Sequence, residues 1–418
     1  MKSLMILHIG DMHIDYDQRY KAKIQPSLDQ IINYCKEVKV NAVVIPGDLT
    51  HRKQSYSNSS GVPMLLDFLK QLSRLVDFIF ITKGNHDEPG SIALLHQLEP
   101  NIYAYEYPVC LGIANDDGII SDKIVDLLRS EEGDLPEADL IVSLIPYPTK
   151  SMFLSDDSIN NNNANFAEKF EQIFELIGDI TQPYTCPKIL GFHGNVVGSR
   201  LSTGQTLQSQ DIMVAPSTLE KAKADYYALN HIHLRQEIKP NMIYAGGIAN
   251  FNWGETEPKS FESIEFRNWI ESFGELEGRI IKDQIPFTSA RPMMTVEAFY
   301  DNDLNDFHFT SINPETDPFK DPVKNYEVRF RCKVKENERN LITEEKIQKL
   351  KDHFGEDVKI EFNIVPTERE SRSEKIMNCK TLIDEVIEYG TVIGEYPGSF
   401  KYQEIVQKVG EIQEEVQL

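Results

Sequence analysis

Nowhere in its 418 residues does the chain carry an apolar run approaching the roughly 20 residues that a membrane-spanning helix requires. No membrane partner is expected. Cysteine is scarce: Cys35, Cys110, Cys186, Cys332 and Cys379 stand singly, without the paired spacing of a zinc site or the density of a disulfide scaffold. They read as reduced structural thiols. Positive charge is also short, because 43 Lys and Arg face 66 Asp and Glu, a net charge of −23. That balance argues against a large non-specific clamp on a polyanion, although bound divalent cations can offset charge locally. Broad affinity for phosphates would then come from a partner. Met1 to Gly10 holds one lysine and no small-residue cleavage site before Asp11 and His13. A signal peptide is therefore not expected, and the chain is assigned to the cytoplasm.

The length allows a main domain of roughly 250 to 300 residues plus one or two small appendages. Short apolar runs alternate with helical patterns at the start: Ser3 to Ile9, a helix from Gln25 to Lys39, then Asn41 to Ile45. This is βαβ grammar. Further strands are predicted at Asp77 to Thr82, Leu140 to Pro146, Lys188 to Phe192, Asp225 to Leu229 and Met242 to Ala245. Ser155 to Asn165, rich in Asp, Ser and Asn, reads as an exposed loop. After Pro286 to Pro292 the composition shifts. Tyr326, Val328, Phe330 and Cys332 alternate with charged residues as a half-buried strand, a helix follows from Thr343, and Val358 to Ile364 alternates again. Two helical segments close the chain, Thr381 to Tyr389 and Tyr402 to Val416, around a turn at Gly394 to Gly398.

Five clusters of hard and borderline metal ligands each sit just after one of these strands. They are Asp11 with His13, Asp48 after Gly47, Asn85 with His86 after Gly84, His193 before Gly194, and His231 with His233. Alone, Asp11 with His13 is more often a surface pair, and Gly47-Asp48 is weaker still. Together, in this order, they are hard to reconcile with coincidence. Two divalent ions about 3.5 to 4 Å apart need several nitrogen and oxygen ligands, including a bridging carboxylate, from loops that converge at one sheet edge. His8, His96, His308 and His353 read as ordinary structural or surface histidines.

The order Asp-x-His, Gly-Asp, Gly-Asn-His, His and His-x-His resembles the calcineurin-like metallophosphoesterase superfamily over roughly residues 1 to 265. Gly47-Asp48-Leu49-Thr50-His51 is similar to the corresponding stretch of the SbcD-type nucleases, subunits of DNA double-strand-break repair. So are Asp225 to His233, Tyr244-Ala245-Gly246-Gly247 and Trp253-Gly254-Glu255. The resemblance implies an α/β fold: a four-layer metallophosphoesterase β-sandwich flanked by helices over 1–285, an α+β capping domain over 286–366, and a C-terminal helical partner-binding segment over 367–418. It also implies two divalent ions, usually manganese, with magnesium the second candidate. The first ion would be held by Asp11, His13, Asp48 and His233, and the second by Asp48, Asn85, His193 and His231. His86 would be the catalytic histidine, Asp87 its partner, and His51 would assist or position the DNA. Where the family has glycine before the last motif this chain has Asn230, a residue that tolerates a left-handed backbone. Thr50 replaces a bulky residue, and Asp15 stands where glycine is common.

Ile405, Val409, Ile412 and Val416 form a narrow apolar stripe on the last helix. It reads equally as packing on its own domain or as docking onto a partner, and the resemblance implies a coiled-coil ATPase of SbcC type, on DNA, in a nucleoid-associated or host-cytoplasmic setting. The sequence leaves homodimerisation open. Three functions follow: a nuclease subunit with 3′-to-5′ exonuclease and single-strand endonuclease activity in DNA break processing, recombination or replication; a phosphodiesterase acting on small nucleotides; and a non-catalytic scaffold, which the intact ligand set disfavours.

Overall fold

The computed structural model describes residues 3–15, 18–51, 61–116, 119–130, 138–149, 163–202, 212–267, 271–272, 275–276, 278–313, 326–366, 378–392, 394 and 400–416. Two sheets dominate the first three hundred residues. One has six strands in the order Arg279–Pro286, Ser260–Arg267, Ser3–His8, Ala42–Pro46, Phe78–Thr82 and Ile102–Tyr105. The other has seven: Gln236–Lys239, Met242–Tyr244, Tyr226–Asn230, Lys188–His193, Leu140–Ile145, Val109–Asp116 and Ile119–Asp126.

The central strands are parallel, as is the edge strand Ile102–Tyr105, while antiparallel pairing holds at the other edge of that sheet and at both edges of the second. Continuous apolar runs such as Ala42–Pro46 and Phe78–Thr82 suit the central positions because both faces are covered, and every residue in those two strands is buried. Alternate residues of Ser3–His8 serve two cores. Leu4 and Ile6 pack with Val44, Val142, Leu144 and Ile264 between the sheets, while Leu7 packs with Val43, Ile45, Leu28 and Ile31 beneath the helix Gln18–Glu37. A third core joins Phe170, Phe174 and Ile177 of the helix Asn163–Thr181 to Leu190 and Leu229. Each fully buried Leu, Ile or Phe contributes roughly 1.5 to 3 kcal/mol. The layers therefore run helix, sheet, sheet, helix, the α/β sandwich expected.

Several elements differ from expectation. The first helix begins at Gln18, seven residues earlier than its apolar periodicity, and carries Pro26 inside. Of the expected loop at 155 to 165, residues 155–162 lie outside the described residues, and Asn163 already begins a helix. The turn at 394 to 398 also falls largely outside them. His193 is the last residue of its strand and does not follow it.

A four-stranded sheet follows in the order Asp306–Asn313, Met293–Asp301, Glu327–Lys335 and Lys359–Val365, with a helix at Glu344–Phe354. The chain forms two compact units. One holds Met1–Ala298, Phe309–Arg331 and Ile347–Glu361, and the other Phe299–His308, Cys332–Lys346 and Phe362–Leu418. Within the second, the helices Leu382–Val392 and Phe400–Val416 meet through Tyr402, whose hydroxyl donates to the Ile387 carbonyl at 2.9 Å. The described residues contain no helix long and apolar enough to cross a membrane.

Candidate metal centre

Parallel neighbours end side by side, so the loops after Ser3–His8, Ala42–Pro46 and Phe78–Thr82 share one sheet edge. Backbone bonds lash the first two loops together. Met12 and His13 N–H both donate to the Asp48 carbonyl at 3.0 Å, and His51 N–H donates to Ile14 at 3.0 Å. Asp87 clasps the third loop to the second: its carboxylate accepts from the N–H groups of Asp48 at 2.9 Å, Gly84 at 2.9 Å and Thr50 at 3.1 Å. Gly84 is required by close approach, because a Cβ there would stand 2.1 Å from Asp48 Oδ1 and 2.3 Å from its nitrogen. His13, Asp48 and His231 have φ of 46°, 54° and 105°. Left-handed backbone of this kind at non-glycine residues persists only where surroundings enforce it, and it concentrates at functional sites.

The side chains converge. Asp48 Oδ2 stands 3.7 Å from His13 Nε2 and 3.4 Å from His193 Nε2, and His13 Nε2 lies 2.8 Å from His233 Nε2. Asn85 Oδ1 is shared between His193 Nε2 at 3.0 Å and His231 Nδ1 at 2.9 Å. Asp11 accepts from His231 N–H at 3.0 Å. In three groups (Asp11 with His13 and Asp48; Asp48 with His193 and His231; His13 with His51 and His86) the ligand atoms lie within 4.8 Å of one another.

A second layer aims these rings. His193 Nδ1–H donates to the Pro46 carbonyl at 2.6 Å, which turns Nε2 inward. His233 Nδ1–H donates to Glu255 Oε1 at 2.8 Å, and Glu255 Oε2 is ion-paired to Lys259 Nζ at 2.8 Å, with both charged side chains only 1% exposed. Carbonyl or carboxylate partners of this kind fix the tautomer of a metal-ligating imidazole and raise its basicity. His86 Nδ1–H donates to the His51 carbonyl at 2.6 Å, leaving Nε2 as its acting nitrogen, and the two rings stack with centroids 5.8 Å apart.

Electrostatics fit a cation. Burial raises the Asp11 carboxyl to about 6. Burial also pushes Asp48 upward, but His193 outweighs it and holds the carboxyl well below the usual range. Burial lowers His193, yet Asp48 draws a proton onto it and raises it to about 9. Burial, followed by His233, pushes His13 well below its ordinary value, and burial takes His231 down to about 3. The buried carboxylates of Asp11 and Asp48 and the neutral rings of His13 and His231 thus favour positive charge at one point, where His193 already holds a proton, and this mixed nitrogen and oxygen set suits divalent first-row ions.

All ten residues singled out from the sequence lie in or beside this cluster. Asp87 faces the loop backbone, and the group bonded to His86 is the His51 carbonyl; Asp87 is in that sense a positioning residue. Asn230 has a different task from a left-handed turn. His231 takes the positive φ, while Asn230 is buried, its amide donating to the Ile9 carbonyl at 3.1 Å and its oxygen lying 3.0 Å from His8 Nε2. Thr50 hydroxyl donates to Asp87 at 3.3 Å. The role of Glu255 is not evident from Trp253-Gly254-Glu255 alone, and Lys259, four residues on and ion-paired to it, is the available signal.

Among solved structures, one chain shares 13% identity over 68% of this chain and 99% of its own, with a TM-score of 0.36. Another, a proposed 5′-nucleotidase from Staphylococcus aureus in complex with alpha-ketoglutarate, shares 15% identity over 68% of this chain and 54% of its own, with a TM-score of 0.37. The profile of the family described as calcineurin-like phosphoesterase matches residues 4–235, more than half of the chain and every ligand loop. The protein belongs to the calcineurin-like phosphoesterase family, whose members hydrolyse phosphate esters at a dinuclear metal centre.

Proposed function

We propose that this phosphoesterase is a manganese-dependent DNA nuclease subunit with 3′-to-5′ exonuclease and single-strand endonuclease activity, working with a coiled-coil ATPase of SbcC type. The observation that carries it is the stacked His51 and His86 pair at the mouth of the ligand cluster. His51 falls in the Gly47–His51 segment whose sequence is similar to SbcD-type nucleases, and it stacks on His86 of the wider superfamily's Gly-Asn-His motif. When bound, two divalent cations supply Lewis acidity and lower the pKa of water. Asp48 lies between the two ligand sets, Asp11, His13 and His233 on one side and Asn85, His193 and His231 on the other. His86, whose Nδ1–H donates to the His51 carbonyl, presents Nε2, which donates to the leaving oxygen or to charge on the phosphorane when the ring carries a second proton. Asp87 keeps the two loops that carry Asp48 and His86 in register.

The ATPase finds support in the C-terminal helices. Ile405 and Ile412 are each 47% exposed, and Leu382 and Tyr389 on the preceding helix are similarly open. Apolar spacing of this kind suits helix-in-groove or coiled-coil docking. Small nucleotides are the second reading, favoured by the net charge of −23. The test compares manganese-dependent degradation of linear double-stranded DNA by the wild type and by His86→Ala, beside a small chromogenic diester. The expected result is DNA cleavage by the wild type and a loss of about 10²- to 10⁴-fold in His86→Ala with metal content retained. Cleavage of the small diester alone, with or without the ATPase present, would replace the nuclease reading by the nucleotide one.

A further inference from the structure

Beside the ligand cluster, within the same compact unit, lies a cavity of about 560 Å³. Its volume falls within the range of small-ligand sites. Phe251 is a shared wall: it lines the cavity, and its ring lies 5.2 Å from His13, 5.7 Å from His233 and 6.3 Å from His51, centroid to centroid. Trp253 supplies a second aromatic surface, steadied by the Arg329 guanidinium 5.0 Å from its centroid.

Charge in the cavity is neutralised in pairs. Lys23 is bonded to Glu327 at 2.6 Å, Arg291 to Asp357 at 2.5 Å and Lys359 to Glu361 at 2.7 Å. A phosphate would have to displace a carboxylate to bind there, so the cavity does not suit the anionic part of a substrate. Its polar demand is of another kind. Asn250 is 3% exposed and its amide nitrogen donates to the carbonyls of Glu255 at 2.8 Å and Glu257 at 3.1 Å, which fixes the orientation of the side chain. Its Oδ1 is buried and has no hydrogen-bond partner among the described residues, and the same holds for Arg291 Nε. Buried polar atoms of this kind are costly unless a ligand satisfies them. One acceptor, one donor and two aromatic walls match a neutral, planar ring whose edge carries both hydrogen-bonding senses.

We infer that this cavity is a nucleobase subsite, which seats a base of the substrate while the attached phosphate ester reaches the neighbouring histidines. The inference deepens the proposed function by assigning recognition to Asn250, Phe251, Trp253 and Arg291, and it rests on that reading for the identity of the substrate. A base on a DNA strand and a base on a free nucleotide share this chemistry of recognition.

The test is calorimetric binding to the full-length protein in chelator, so that no cleavage is read and a failure of the nuclease reading stays separate. Hexathymidylate and an abasic hexamer carry the same phosphates and differ only in bases. The expected result is binding of hexathymidylate at least about tenfold tighter, as base–aromatic stacking allows. That ratio should fall to within about twofold in Ser289→Phe, which fills the cavity from its exposed rim, and in Arg291→Lys, which keeps the charge and removes the Nε donor. Thymidine 5′-monophosphate against deoxyribose 5-phosphate separates the sources. A ratio above about tenfold for the hexamers assigns the site to a strand, and one for the monomers alone assigns it to a free nucleotide. Equal binding of base-bearing and base-free probes by the wild type, or a ratio that survives both substitutions, overturns the inference.

Discussion

In the ligand cluster the rings of His86, His193 and His233 are each held from behind by a carbonyl or carboxylate, whereas in the C-terminal pair of helices the apolar side chains stand half open. Asp87 binds three backbone N–H groups and Glu255 binds both His233 and Lys259. Ile405 and Ile412 remain 47% exposed. The contrast separates residues placed by the fold from residues whose surroundings the fold leaves open. Substitutions in the first region should cost stability and metal affinity together, and those in the second should cost the folded chain almost nothing.

The largest effect is expected at Gly84. In Gly84→Ala the new methyl would overlap Asp48 Oδ1 and the Asp48 nitrogen, both buried and already committed to other partners. Backbone cannot yield as a flexible side chain does, so a loss of about 3 kcal/mol or more is expected in denaturant unfolding, together with weakened metal binding. A near-neutral Gly84→Ala would mean that the two loops are far less tightly coupled than the Asp87 clasp implies.

His8 tests the same rigidity through pH. Burial lowers its pKa from 6.5 to about 4, with Asn230 the leading opposing partner. The folded state therefore prefers the neutral ring, and the unfolded state takes up a proton first as pH falls. Stability from this group is fully present above about 6.5 and is lost progressively down to about 4, to a limit of about 3 kcal/mol. His8→Gln, which can still bond Asn230, should lack that share of the acid sensitivity when unfolding is followed across this window. Equal acid loss in both proteins would count against it.

Much of the cluster was legible because each ligand lies in a short motif at the end of an apolar run. Strand ends and ligand spacing are local properties, and they survive without knowledge of the partner strand. The antiparallel outer strands were not legible in the same way. In Ser260–Arg267 the charged Glu262 is buried because Arg235 reaches it at 2.9 Å, which breaks the apolar pattern that would announce a strand. Asn230 and Glu255 were opaque for a related reason: their partners, Ile9 and His233, lie 221 and 22 residues away. Long-range hydrogen bonding leaves no periodic trace.

Glu255 offers an intermediate effect. Glu255→Gln keeps an acceptor for His233 Nδ1–H but removes the negative charge that makes the imidazole more basic, and it leaves Lys259 with Glu257 as its remaining carboxylate. Equilibrium dialysis should show metal affinity reduced about tenfold or more at the ion nearer His233, with the other retained. Equal loss of both ions would indicate that the change collapses the cluster as a whole.

The smallest effect is expected where the apolar stripe is exposed. Ile405→Ser with Ile412→Ser removes two branched side chains from the last helix, each already about half in water, so little burial remains to be lost. Exposed positions away from caps and buried networks usually change stability by no more than about 0.5 kcal/mol, and the double variant should unfold at nearly the wild-type denaturant concentration. A loss above about 2 kcal/mol would show that the stripe packs on its own chain in solution. A near-neutral result, joined to lost association with the coiled-coil ATPase, would place the purpose of these isoleucines outside the folded monomer, because an apolar face that does not stabilise its own fold is free to be selected for a partner.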